Sequence, residues 1–185
     1  MPHLVECFSN GTIPVSCATS CLRAVLSVTA AWLRAETKLS ACLDTAGTDS
    51  VLALPLAILQ PLNVPSLGIT EVDLVPCVAA FLAAVGGDEA LLRPFGSTLC
   101  GFVTRGSHWR CRLAALRLLK QTFDTLMEID GKEGVVGGGD LGLAACLVSD
   151  TLVALSEALE DERPEIEAAA NRLFADLEAA GVTAQ

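Results

Sequence analysis

The strongest constraint on the fold is the spacing of apolar residues toward the C-terminus. Ile166, Ala170, Leu173 and Leu177 recur at alternating intervals of four and three, which lines one face of an α-helix. Leu141, Ala145, Val148, Leu152, Leu155 and Leu159 repeat the pattern just upstream. Trp109, Leu113, Leu116, Phe123 and Met127 extend it over a longer stretch, with Leu119 and Leu126 beside them. Punctuation agrees with these stripes. Ser107 is placed to cap the longest helix and Gly131 follows its end. The glycine-rich stretch Gly131 to Gly139 separates it from the next helix, which ends at Glu160-Asp161-Glu162. Pro164 then opens the last helix, where a missing N–H costs nothing, and Gly181 marks its exit.

The upstream half is similar but shorter. Thr70 and Asp73 cap a helix through Leu74, Val78, Phe81 and Val85, which Gly86-Gly87 breaks. Asp88 caps the stretch Glu89 to Thr104, which Pro94 is expected to kink or interrupt. A helical run extends from about Ser20 to Leu43, and Val51 to Leu62 carries Pro55 and Pro61. Asn63 to Gly68, with Pro65, reads as a joint. Hydrophobic residues make up 52% of the chain but aromatics only 4%, with no Tyr. The apolar mass is Leu, Ala and Val, and Leu and Ala favour helix. No sustained strand-like alternation occurs. The class is therefore all-α, with about seven helices at roughly 35 to 45 residues per pair, the range of HEAT or armadillo units. Periodicity alone fits a stacked solenoid and an ordinary helical bundle equally well.

Charge narrows the function. The net charge is -10 and the isoelectric point is near 4.5. Such a chain is a poor general ligand for nucleic acid, whose phosphates require Lys and Arg, and for an anionic membrane surface. The distribution is uneven. Half of the 12 basic residues fall between Arg93 and Lys120, whereas acidic residues dominate after Leu147. These faces are expected to be solvated or to pair between neighbouring repeats. A sharper alternative makes Arg105, Arg110, Arg112, Arg117 and Lys120 a surface for RNA or an acidic partner. The mean hydropathy of +0.53 is high. The longest apolar run, Leu74 to Val85, is about half of the ~20 residues a membrane span needs and contains Pro76. Helices buried on more than one side explain the hydropathy better than a membrane does. Met1 to Glu6 has neither the basic region nor the apolar core of a secretory signal.

No catalytic, cofactor or metal residues are expected. The eight cysteines include no CxxC pair, and His3 and His108 form no ligand pair. They are expected to be small core residues, as suits a reducing intracellular compartment. Gly137-Gly138-Gly139-Asp140 precedes a helix, but it lacks the Lys-Ser/Thr of a phosphate loop and ends in a carboxylate that repels phosphate. Glu157, Glu160 and Asp161 read as solvated acids at a helix end, and His108 has no partner nucleophile.

Three ordered stretches resemble a known family. Asp73-Leu74-Val75-Pro76-Cys77-Val78-Ala79-Ala80-Phe81, followed by Asp88 and Leu92-Arg93-Pro94, is similar to one of its helices and the segment after it. Trp109-Arg110-Cys111-Arg112-Leu113-Ala114-Ala115-Leu116 resembles a HEAT helix of the family. Leu155-Ser156-Glu157-Ala158-Leu159-Glu160-Asp161, with Glu165-Ile166-Glu167, looks like the motif closing its last repeat. The family is the large HEAT-repeat protein of the small-subunit processome, a component of the UtpA (t-Utp) complex. Departures are Ser149 near a family proline, a longer glycine-rich loop, and no match before about Val51. The resemblance implies a HEAT-repeat domain over 51–185, an unassigned N-terminal helical segment over 1–50, and a fragment or reduced form of a longer chain. It also implies a nucleolar, non-catalytic scaffold in pre-rRNA processing, and in some organisms in rDNA transcription. The implied partners are other UtpA proteins, with pre-rRNA and snoRNA contacted mostly indirectly and no membrane. Leu155 and Leu159 would pack inward, and Glu160 and Asp161 could make charge-assisted contacts to a neighbouring helix terminus. A generic repeat adaptor, such as a transport or vesicle-coat module, shares the fold without the nucleolus.

Overall fold

A computed structural model describes residues 15–35, 57–85, 88–104, 108–132 and 144–181. Seven helices and no strand occur among them, which establishes the all-α class. Six are long: α1 (Val15–Ala35), α2 (Glu71–Val85), α3 (Glu89–Val103), α4 (Trp109–Lys132), α5 (Ala145–Ala158) and α6 (Pro164–Ala179). The seventh is described over 57–59 and runs into the 3-10 turns Gln60–Asn63 and Pro65–Leu67. The chain forms two compact units, Met1–Gly86 and Gly87–Gln185. The domain boundary expected at residue 50 lies outside the described residues, as do Ser107, Leu141 and the glycine-rich stretch from Glu133 to Asp140.

The anticipated start signals operate. Asp73 Oδ2 accepts from the Thr70 N–H at 3.1 Å and from the Thr70 hydroxyl at 3.3 Å, and the Asp73 N–H donates to the Thr70 carbonyl at 3.2 Å, so the two residues together fix the start of α2. Asp88 Oδ1 accepts from the Ala90 N–H at 3.0 Å. Pro164 opens α6 and Gly181, at φ 81°, closes it. That left-handed conformation favours glycine. Pro94 does not interrupt α3, which runs through it to Val103. The ring removes one hydrogen bond, to the carbonyl of Ala90, in an exposed first turn where water can replace it.

In the first unit α1 packs on α2. Ala18, Leu22, Leu26, Ala30 and Leu33 form its buried stripe. The Thr19 hydroxyl donates to the Leu67 carbonyl at 2.6 Å, and Arg23 meets Asp73 at 2.8 Å. α2 buries eight of its 15 residues, including all four expected ones.

In the second unit α3 packs on α4 and on α5, α4 packs on α6, and α5 packs on α6. Among the described residues α4 shows no extended packing along α5. Consecutive helices therefore do not circle the core, as they would in an up-and-down bundle. The chain makes one hairpin, α3–α4, and lays a second, α5–α6, beside it. The stacked helices run parallel. Gly96 faces Leu147, and four residues on, Cys100 Sγ lies 3.8 Å from Thr151 Oγ1.

One expected stripe is rotated and another is broader than expected. In α5 the buried face is Leu147, Thr151, Ala154, Leu155 and Ala158. Ala145 is exposed, and Val148, Leu152 and Leu159 are half-buried. Leu155 thus packs inward as expected and Leu159 only partly. The buried face is set by α3: Leu147 packs against Gly96, where the missing side chain leaves it room, and Thr151 meets Cys100. In α4 the expected Leu116, Leu119, Phe123 and Leu126 are buried, joined by Ala115, Leu118 and Thr122, while Trp109 and Leu113 are half-buried and Met127 exposed. With packed neighbours on two sides, α4 needs a broader apolar arc than a single stripe. In α6 the buried residues are Ile166, Ala170, Leu173 and Leu177, as expected.

Candidate functional site

The basic candidates differ in their surroundings. Arg105 lies outside the described residues. Arg112 turns inward: its Nε sits 2.9 Å from Asp161 Oδ2, with only 13% and 4% of the two side chains exposed. A second guanidinium nitrogen donates to Asp161 Oδ1 at 3.3 Å. Lys120 bridges two elements, 2.8 Å from Asp176 of α6 and 3.3 Å from Asp124 of its own helix. Arg110 and Arg117 are exposed. Arg112 and Lys120 thus each pair with an acidic residue of another element.

The first turn of α4 and the α5–α6 turn form one polar cluster. Besides pairing with Arg112, Asp161 Oδ1 accepts from the Arg163 N–H at 3.0 Å, fixing the turn that leads into α6. Trp109 lies between two guanidinium groups, Arg110 at 5.2 Å and Arg163 at 5.1 Å from its ring centroid, within cation–π range. Asp161 therefore makes a charge-assisted contact to the head of α4. The part of Arg163 escaped the sequence, because no local pattern brings residue 163 over residue 109.

Along α4 and α6 lie two adjoining grooves. The first, about 310 Å³, is lined by Leu113, Leu116, Arg117, Lys120, Glu165 and Arg172, among others. The second, about 460 Å³, has Phe123, Met127, Leu173 and Leu177 as its apolar lining and Lys120, Asp124, Glu128 and Asp176 as its charged lining. Lys120 sits where they meet. Its ammonium is held above the usual lysine range by the hydrogen bond to Asp176, against desolvation and with further help from Asp124.

The cysteines divide. Cys77, Cys100 and Cys111 are buried, as the core reading requires, and Cys146 is intermediate. Cys17 and Cys21 are exposed, which corrects that reading for these two. They sit one residue before Ala18 and Leu22, off the buried stripe of α1. Burial pushes the Cys77 and Cys100 thiols up to about 11 and raises Cys111 and Cys146. These thiols stay protonated near neutrality and are poor nucleophiles. Burial raises Asp73 as well, but hydrogen bonds from Arg23 and the Thr70 backbone outweigh it, and its carboxyl lies below the usual range. Among the described residues no group of three or more His, Cys, Asp or Glu could hold a metal ion. No described helix is long and apolar enough to cross a membrane.

No family model matches the chain, and neither curated proteins nor solved structures provide a significant match.

Proposed function

We propose that the chain is a non-catalytic helical-repeat scaffold of the HEAT kind, acting in the nucleolus within the small-subunit processome. One observation carries the repeat reading: in each unit, helices about 50 residues apart in sequence pack on one another, α3 and α5 in parallel. Arg23 and Asp73 are 50 residues apart, and Cys100 and Thr151 are 51 apart. Stacked, equivalent hairpins produce such an offset. It exceeds the expected 35 to 45 residues per pair because the connecting segments are long, the glycine-rich stretch among them. The three ordered sequence resemblances support the particular assembly. The cluster of Asp161, Arg112, Trp109 and Arg163 serves the stack by fixing the turn between hairpin arms.

The test is affinity capture of the tagged full chain from nucleolar extract. The expected result is recovery of UtpA subunits together with box C/D snoRNA. Recovery of neither, with the tagged chain excluded from the nucleolus, overturns the processome assignment and leaves a generic repeat adaptor.

A further inference from the structure

We infer that the groove between the C-terminal halves of α4 and α6 is a docking site for a partner's amphipathic helix carrying bulky apolar side chains flanked by Lys or Arg. The inference deepens the scaffold reading and rests on it. Phe123, Leu173 and Leu177 supply an apolar floor to the 460 Å³ groove. All three are buried, so the floor is preformed. Met127 stands beside them with 42% of its surface exposed. An unbranched thioether adapts to irregular apolar partners and recurs at such binding surfaces.

Charge complementarity selects the occupant. Three carboxylates, Asp124, Glu128 and Asp176, line this groove against one ammonium, Lys120. Lys120 is held between Asp124 and Asp176 at the end nearer the first groove. Glu128, two turns further along α4, is exposed. The adjoining groove has the opposite balance, with Arg117, Lys120 and Arg172 against Glu165. The face therefore changes sign along its length and gives an occupant both position and polarity. From Lys120 to Glu128 the groove extends roughly 12 Å at 1.5 Å per residue. That accommodates about two turns of a helix presenting apolar residues at i and i+4, as in helix-in-groove recognition. A nucleic acid is disfavoured here because the carboxylates repel phosphate.

Selection of random 16-residue peptides displayed on phage, against the purified full chain, tests the groove directly. The expected sequences carry bulky apolar residues at helical spacing with flanking Lys or Arg. Their binding should weaken at least tenfold for Met127→Lys and for Glu128→Lys. Both positions are exposed, so an unchanged thermal melt identifies a folded variant. Enrichment of acidic peptides, no enrichment, or equal binding to both variants overturns the inference. So does concentration-dependent self-association abolished by Met127→Lys, because the occupant is then a second copy. Failure of nucleolar capture with successful selection would count against the processome assignment alone, and the reverse against the groove alone.

Discussion

Helix α3 contains two glycines that should respond oppositely to the same substitution. An added Cβ at Gly101 meets nothing within 4 Å, and the position is exposed. Gly101→Ala should therefore gain helix propensity, about 0.5 kcal/mol this close to the helix end. At Gly96 the same Cβ would overlap Leu147 Cδ2, with Leu147 Cγ at 3.4 Å. Leu147 is 2% exposed, so its side chain cannot swing into solvent. Overpacking of this kind costs about 1–3 kcal/mol, more than the ~1 kcal/mol a mid-helix glycine returns. Gly96→Ala should therefore destabilise by about 1 kcal/mol. The sign reverses if Leu147 is shortened. Leu147→Ala alone should cost about 2–5 kcal/mol. In that background the Gly96→Ala methyl enters vacated space and stabilises by about 1 kcal/mol, a coupling near 2 kcal/mol. Urea titration followed by circular dichroism at 222 nm measures all four combinations. If Gly96→Ala raises the midpoint of the parent protein as Gly101→Ala does, α3 and α5 do not stack at this register.

Arg112→Ala should destabilise the chain by about 3 kcal/mol, because it strands the Asp161 carboxylate where only 4% of its side chain is exposed. Arg112→Ala/Asp161→Ala should cost less than the sum of the single changes, as read from urea midpoints. Alkylation under native conditions, mapped by peptide mass spectrometry, should label Cys17 and Cys21 quickly and reach Cys77 and Cys100 only with unfolding; equal rates would contradict their burial. Alkaline pH should destabilise the fold. Cys77 and Cys100 ionise near 11 when folded against 9.0 ordinarily, so their contribution is complete below pH 9 and declines between pH 9 and 11. The loss is roughly 2–3 kcal/mol per thiol at about 1.4 kcal/mol per pH unit, and Cys77→Ala should flatten the decline.

Helix class and several boundaries were legible because each depends on neighbours in sequence. Asp88, Thr70, Pro164 and Gly181 act within a few residues of where they stand. The stripe of α6 was legible because one face of that helix is buried and the other is charged. In α5 helical spacing points to Ala145, Val148, Leu152, Leu155 and Leu159, although burial follows Leu147, Thr151, Ala154, Leu155 and Ala158. Both sets satisfy helical spacing. What decides between them is the face of α3 that carries Gly96 and Cys100, a fact about a helix some 50 residues away. The surroundings of the basic residues were hidden for a related reason. A count of Arg and Lys along α4 cannot register that Arg112 points toward Asp161 or that Lys120 points toward Asp176.

Polar contacts add register to a stack built largely from Leu and Ala, the buried Arg112–Asp161 pair most and the exposed Lys120–Asp176 pair least. Aliphatic contacts between parallel helices are tolerant, and slipping one helix by a turn exchanges Leu for Leu or Ala at modest cost. Polar contacts are not tolerant. A shift of one turn, about 5.4 Å, would carry Asp176 away from Lys120 and would do the same to Asp73 and Arg23 if α2 moved on α1. Thr151 would also leave Cys100. Each contact ties stacked helices to one another, and each is therefore broken by slippage that an apolar surface would permit. This has a consequence for the RNA-contact alternative. Charge reversal at Arg112 or Lys120 disturbs the stack itself, so weakened RNA binding in those variants would report misfolding. Arg110 and Arg117 are exposed, and charge reversal there separates RNA contact from structure where the thermal melt is unchanged, the control that the Arg110 contact with Trp109 requires. Salt-sensitive RNA binding that persists in Arg110→Glu/Arg117→Glu would exclude the exposed basic residues of α4 as its source.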